Sequence, residues 1–114
     1  MIEKILLDYL SAELPDIPVY MEVPAHRPAL FVVIEKTGSS RINHIDSATV
    51  AVQSYAATMY DAAALNERVK AAMLDSITLD SISRAALNSD YNYTDTASKH
   101  YRYQAVFDVT FYDD

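Results

Sequence analysis

The spacing of hydrophobic and polar positions changes several times along the chain, and each change marks an element. Ile2, Ile5, Leu6, Tyr9 and Leu10 recur at helical spacing, with Glu3, Lys4, Asp8 and Ser11 between them. That predicts an amphipathic helix over residues 2–13, which Pro15 stops. Residues 18–22 (PVYME) read as a short strand, and prolines at 18 and 24 mark it as an edge. Residues 24–28 (PAHRP) are a stiff connector. In residues 29–37 (ALFVVIEKT) both alternating faces are apolar at first, which predicts a central strand covered on both sides. Residues 38–45 (GSSRINHI) have turn composition and no period, so a long loop is expected there, mobile in the isolated chain.

Alternation returns over residues 46–57, where Ala48, Val50 and Val52 interleave with Thr49, Ala51 and Gln53 as in a long strand. Thr58 followed by Asp61 has the spacing of a capping box. The stripe of Ala62, Leu65, Val69, Ala72 and Met73 behind it predicts a second helix over residues 60–75. Residues 99–112 alternate most regularly, and residues 82–94 before them are extended too. A turn centred on Asp95-Thr96-Ala97-Ser98 sets Leu87 opposite Phe107, Tyr91 opposite Tyr103 and Tyr93 opposite Tyr101, with all four tyrosines on one face. Asp90 and Asn92 then take the opposite, solvated face.

The expected fold is a single α+β domain over residues 1–114, of order α-β-β-β-α-β-β. It has a mainly antiparallel sheet of four to five strands and both helices on one face, because the two apolar stripes need a shared surface.

Composition narrows the function. The chain has 114 residues, a net charge of −7 and no cysteine, which excludes disulfides and thiolate metal sites. The acids are spread rather than blocked: seven acids and four bases precede residue 58, and nine and five follow it. Without a basic block, sequence-specific nucleic-acid binding is not expected. No apolar run approaches the roughly 18 residues of a membrane span. Met1-Ile2-Glu3-Lys4-Ile5 does not read as a signal peptide, so use in a cytoplasm is expected.

No constellation for catalysis stands out. His26, His44 and His100 lie in different elements, whereas zinc needs three or four convergent donors. The run Asp90-Tyr91-Asn92-Tyr93-Thr94-Asp95 lacks the central glycine and final glutamate of a calcium loop. No GxSxG elbow frames a serine, and Gly38 alone cannot cradle a phosphate. Asp113-Asp114 reads as a solvated charged end. No cofactor and no enzymatic activity are expected. Two features suggest contact with other proteins. One is the loop with Arg41, Ile42 and His44: a cation, an apolar anchor and a switchable donor. The other is the hairpin with Tyr91, Tyr93, Tyr101 and Tyr103, since tyrosine buries area and keeps a polar tip.

The segments PVYMEVP (18–24), FVVIEKTG (31–38), VQSYA (52–56) and LNSDYNYTDTASKHYRYQAVFDVTFY (87–112) resemble small proteins encoded in tail modules of siphophages and Gram-positive prophages. They are similar to the tail terminator and tail-to-head joining proteins of lambda-like phages, and the resemblance covers most of the chain. It implies a structural virion protein without catalytic residues. Such a protein is monomeric or weakly associated when free, and assembles as a hexameric ring on the tail tube protein facing the head connector. The same modules encode neck or head-closure components, the alternative reading. A small ligand-binding or enzymatic α+β domain is the alternative from another class.

Overall fold

Residues 1–112 are described by the computed structural model, so the charged end expected at Asp113 and Asp114 lies outside the described residues. Helix α1 (Ile2–Glu13) buries Ile2, Leu6, Tyr9 and Leu10. The N–H of Leu14 closes its last turn on the Leu10 carbonyl (2.8 Å), and Pro15 follows. Helix α2 (Met59–Leu74) begins at Thr58, whose hydroxyl accepts the Asp61 N–H at 3.1 Å and satisfies a first-turn donor. A short 3-10 helix, Asp75–Thr78, continues from it.

The strands are β1 (Val19–Tyr20), β2 (Phe31–Ile42), β3 (Ile45–Ala56), β4 (Ile82–Asn92) and β5 (Tyr101–Phe111). They form one sheet of order β1-β2-β3-β5-β4, in which β1 pairs parallel with β2 and every other neighbour is antiparallel. The expected α+β order holds, with five strands. Both helices cover one face, where Leu6, Leu10, Leu65, Val69 and Met73 share a core with Val32, Val50, Val52, Phe107 and Val109. The Tyr9 hydroxyl donates to the Ala72 carbonyl at 2.8 Å and ties α1 to α2. The other face carries no helix.

The expected loop at residues 38–45 is a hairpin instead. β2 runs on to Ile42, Asn43 and His44 make the turn at φ 52° and 66°, and Ile45 faces Ile42. Two left-handed residues in a two-residue connection match the right-handed twist of the flanking strands. Strand alternation is missing from Gly38-Ser39-Ser40-Arg41 because these residues are exposed and no core demands it. Their backbone is paired, Gly38 with Thr49 through Arg41 with Asp46, so a mobile loop is not what they form. Thr37 is the extra residue of a bulge, its hydroxyl donating to the Thr49 carbonyl at 3.3 Å. β2 is central only near its start. There Phe31 to Ile34 are buried, while beyond Val33 no strand among the described residues pairs with its outer edge.

The expected β4–β5 register holds from Arg84 opposite Thr110 to Leu87 opposite Phe107, between irregularities at Ser83 and at Asn88. Beyond the bulge Tyr91 faces Gln104, and Asn92 faces Tyr103. An inserted residue reverses the facing of everything after it. Tyr91 and Tyr93 therefore lie on the helix-free face, whereas Tyr101 and Tyr103 alternate with the helix-side residues Ala105 and Phe107. The four tyrosines do not share a face. The same slip turns Asp90 toward the helices. Its Oδ2 accepts from Lys70 Nζ and Asn66 Nδ2, both at 3.0 Å, rather than facing solvent. The partners Glu67 and Asp90, in that order, hold the Lys70 ammonium above its usual range.

Candidate functional site

The helix-free face supplies the most developed side-chain arrangement. Tyr20 meets Phe31 edge-on at 6.0 Å between ring centres, and Phe31 stacks on Tyr55 at 4.5 Å and 7°. Arg27, from the proline-rich connector, lies over the Tyr55 ring at 5.6 Å. Arg102 of β5 lies over the same ring at 5.7 Å and donates from Nη1 to the Tyr55 hydroxyl at 2.9 Å. Its guanidinium also faces the Tyr93 ring at 4.4 Å, and Tyr93 meets Tyr91 edge-on at 5.9 Å. Rings and guanidinium groups thus cross the full width of the sheet, from β1 to β4. Guanidinium groups suit this role because they are planar, weakly hydrated and stack on aromatic faces.

A polar row runs beside this stripe. Gln53 Nε2 donates to Gln104 Oε1 (2.8 Å) and Glu35 Oε2 (3.3 Å), and Gln104 Nε2 donates to the Tyr91 hydroxyl (2.6 Å). These contacts fix the side chains on the open face.

Beside the middle of the stripe a notch of about 180 Å³ opens between the connector and the β4–β5 turn. Arg27, Phe31, Tyr55, Lys99, His100 and Tyr101 line it. The turn is held by Asp95, which accepts from the Ser98 hydroxyl (2.8 Å) and the Ala97 N–H (3.1 Å). The Ser98 bond first, then the Ala97 bond, keep the Asp95 carboxyl below its usual range. At the opposite end of the molecule the β2–β3 hairpin tip exposes Ile42 by 69 % and Ile45 by 48 %.

The residues singled out from sequence therefore fall into separate places. Arg41 is on the helix side and pairs with Asp46 (Nε to Oδ1, 3.5 Å). Ile42 and His44 are at the hairpin tip. Tyr91 and Tyr93 join the stripe, Tyr101 lines the notch, and Tyr103 is half-buried on the helix side. Sequence reasoning missed Arg27, Phe31, Tyr55 and Arg102 as one arrangement. Arg102 had a visible signal, since it alternates with the tyrosines of β5. Arg27, set between prolines, had none. The three histidines stay apart, and among the described residues no group of three His, Asp or Glu side chains is placed to hold a metal ion.

No family model matches this sequence, and no curated protein matches it.

Proposed function

We propose that the chain is a structural component of a phage tail. Copies assemble as a ring, a hexamer in the family it resembles, that ends the tail tube and meets the head connector. The observation that supports this most is the β2–β3 hairpin. β3 is paired on both sides as far as Asp46, and the turn just beyond exposes two facing isoleucines, Ile42 and Ile45. Apolar groups presented at the end of a sheet stabilise an assembly when a partner covers them, and leave a cost in water when none does. The body is also elongated, 44 × 25 × 24 Å, and one sheet face is left without helices. Both suit a subunit that completes its burial in an assembly rather than one that encloses a substrate. Its place is then the head–tail junction of the virion, after synthesis in the host cytoplasm.

The test is to polymerise a siphophage tail tube protein with and without the purified chain, and to image the tubes by negative stain. Capped, shorter tubes are expected with the wild-type chain. The Ile42→Asp variant, folded by circular dichroism, should leave the tubes uncapped. Tubes unaffected by wild-type chain would overturn the reading. Attachment to filled heads instead of tubes would move the protein to head closure.

A further inference from the structure

The chain is acidic overall, yet its bases are not evenly matched with acids. Five of its nine lysines and arginines stand in ion pairs: Lys4, Lys36, Arg41, Arg68 and Lys70. The other four, Arg27, Arg84, Lys99 and Arg102, have no ion-pair partner among the described residues. Three of these four gather at the notch, with His100 beside them. The acid close by, Asp95, spends its oxygens on Ser98 and Ala97. In a molecule of net charge −7 this is a concentrated positive spot over aromatic rings.

The opposite polarity occurs at the other end of the molecule. A groove of about 550 Å³ lies between α1 and the segment after the 3-10 helix, lined by Ile5, Tyr9, Ala12, Glu13 and Leu79. Glu13 lines it, Asp75 shares a neighbouring recess with Glu13, and Asp80 sits between the lining residues Leu79 and Ser81; all three are exposed and have no ion-pair partner among the described residues. Ile77, next in sequence to the lining residue Thr78, is exposed. Helix α2 links the two regions: it starts just after Ala56 and Ala57 of the notch and ends at Asp75. Its 16 residues span about 24 Å at ~1.5 Å each. One molecule cannot bring the two patches together, but two molecules can.

We propose that the cationic notch of one copy docks the acidic groove of the next, a head-to-tail contact. Each side supplies what the other lacks: guanidinium and ammonium groups over rings on one, carboxylates around an apolar groove on the other. Complementary patches on different ends of one subunit make a heterologous interface, which builds a ring when its rotation closes and a filament when it does not. The general acidity of the chain disfavours a nucleic-acid strand as the occupant, since the phosphates would meet like charge on approach. The contact deepens the ring reading above and rests on it only for closure, not for the pairing itself.

The experiment mixes isotopically light and heavy wild-type chains, treats them with a zero-length carbodiimide and maps the bridges by mass spectrometry. Bridges from light Lys99 to heavy Glu13 or Asp75 are expected. A bridge map without them overturns the proposal. Two variants follow, Arg27→Glu/Lys99→Glu in the notch and Glu13→Lys/Asp75→Lys in the groove, each checked by circular dichroism. By sedimentation velocity, each alone should lose the association seen for wild type. Mixed in equal amounts they should associate again, because the intact groove of one meets the intact notch of the other. A mixture that stays monomeric, or variants that associate like wild type, would count against the contact. If a variant fails to fold, Arg27→Ala and a salt titration of wild type replace it, and association unmoved by both overturns the pairing. Binding of a single-stranded oligonucleotide that the notch variant abolishes, with self-association unchanged, overturns it as well. Tail-tube capping is scored separately, so the tail reading can fail while this contact stands, and the reverse.

Discussion

The guanidinium of Arg102 lies 4.4 Å from the centre of the Tyr93 ring, and its Nε donates to the Tyr93 carbonyl oxygen at 2.6 Å. One side chain therefore holds the end of the β4–β5 hairpin twice, through the ring and through the backbone. It reaches across to Tyr55 of β3 as well. Arg102→Ala removes these contacts and should cost about 1–3 kcal/mol, the scale of charge-assisted hydrogen bonds. Arg102→Lys should recover less than half, because an ammonium cannot stack and donate in two directions at once. Urea unfolding of the three proteins measures this; equal midpoints for wild type and Arg102→Ala would show that the stripe contributes nothing to stability.

Tyr9 carries a test that depends on pH. Burial first, and the nearby carboxylates of Glu13 and Asp75 after it, push the hydroxyl up to about 12 from 10.0. The unfolded chain therefore loses this proton before the folded one. The contribution of Tyr9 is fully present below pH ~10 and falls away as pH rises toward ~12. Tyr9→Phe should cost about 1 kcal/mol at neutral pH through the lost bond to Ala72. It should also flatten the alkaline decline relative to wild type. Parallel pH–stability curves for the two proteins would contradict the assignment.

Asn66 is buried on α2 and donates to Asp90 of β4 at 3.0 Å, while its own Oδ1 is buried without a hydrogen-bond partner among the described residues. Asp90→Ala leaves the Asn66 amide without this acceptor and removes one of the two acids on Lys70. A loss of about 1–3 kcal/mol is expected. In a double-mutant cycle with Asn66→Ala the two costs should not add, since the second substitution removes the stranded donor. Additive costs would mean that the two side chains act independently.

The hairpin turn offers a gain instead of a loss. His44 sits at φ 66°, where a Cβ is disfavoured and glycine is not. His44→Gly should raise stability by roughly 0.5–1 kcal/mol. His44→Val, branched at Cβ, should lower it. Thermal melts would decide, and a melting temperature lowered by glycine would argue against a left-handed residue there.

Much of the fold could be read from local pattern. The stripe from Ile2 to Leu10 and that from Ala62 to Met73 became the two buried helix faces. Thr58 caps α2 as its spacing with Asp61 implied. The expectations that failed share a cause. Gly38 to Ile42 looked like loop because they face water on both sides, so pairing with β3, not burial, keeps them extended. The tyrosine face was misread because a bulge at Asn88 leaves no mark in composition.

Helix positions, the order of the elements and the docking of both helices on one face follow from the sequence by itself, because apolar periodicity within a segment dictates what must be buried; the reach of β2 to Ile42, which buries nothing, does not. Only the tertiary structure decided which side of the sheet Tyr91, Tyr93 and Asp90 take, since each depends on a one-residue shift against β5. Only it brought Arg27 over Tyr55, from residues far apart in the chain. Contacts of this kind are set by how strands stack side by side, and the spacing of residues within one strand carries no record of its neighbour.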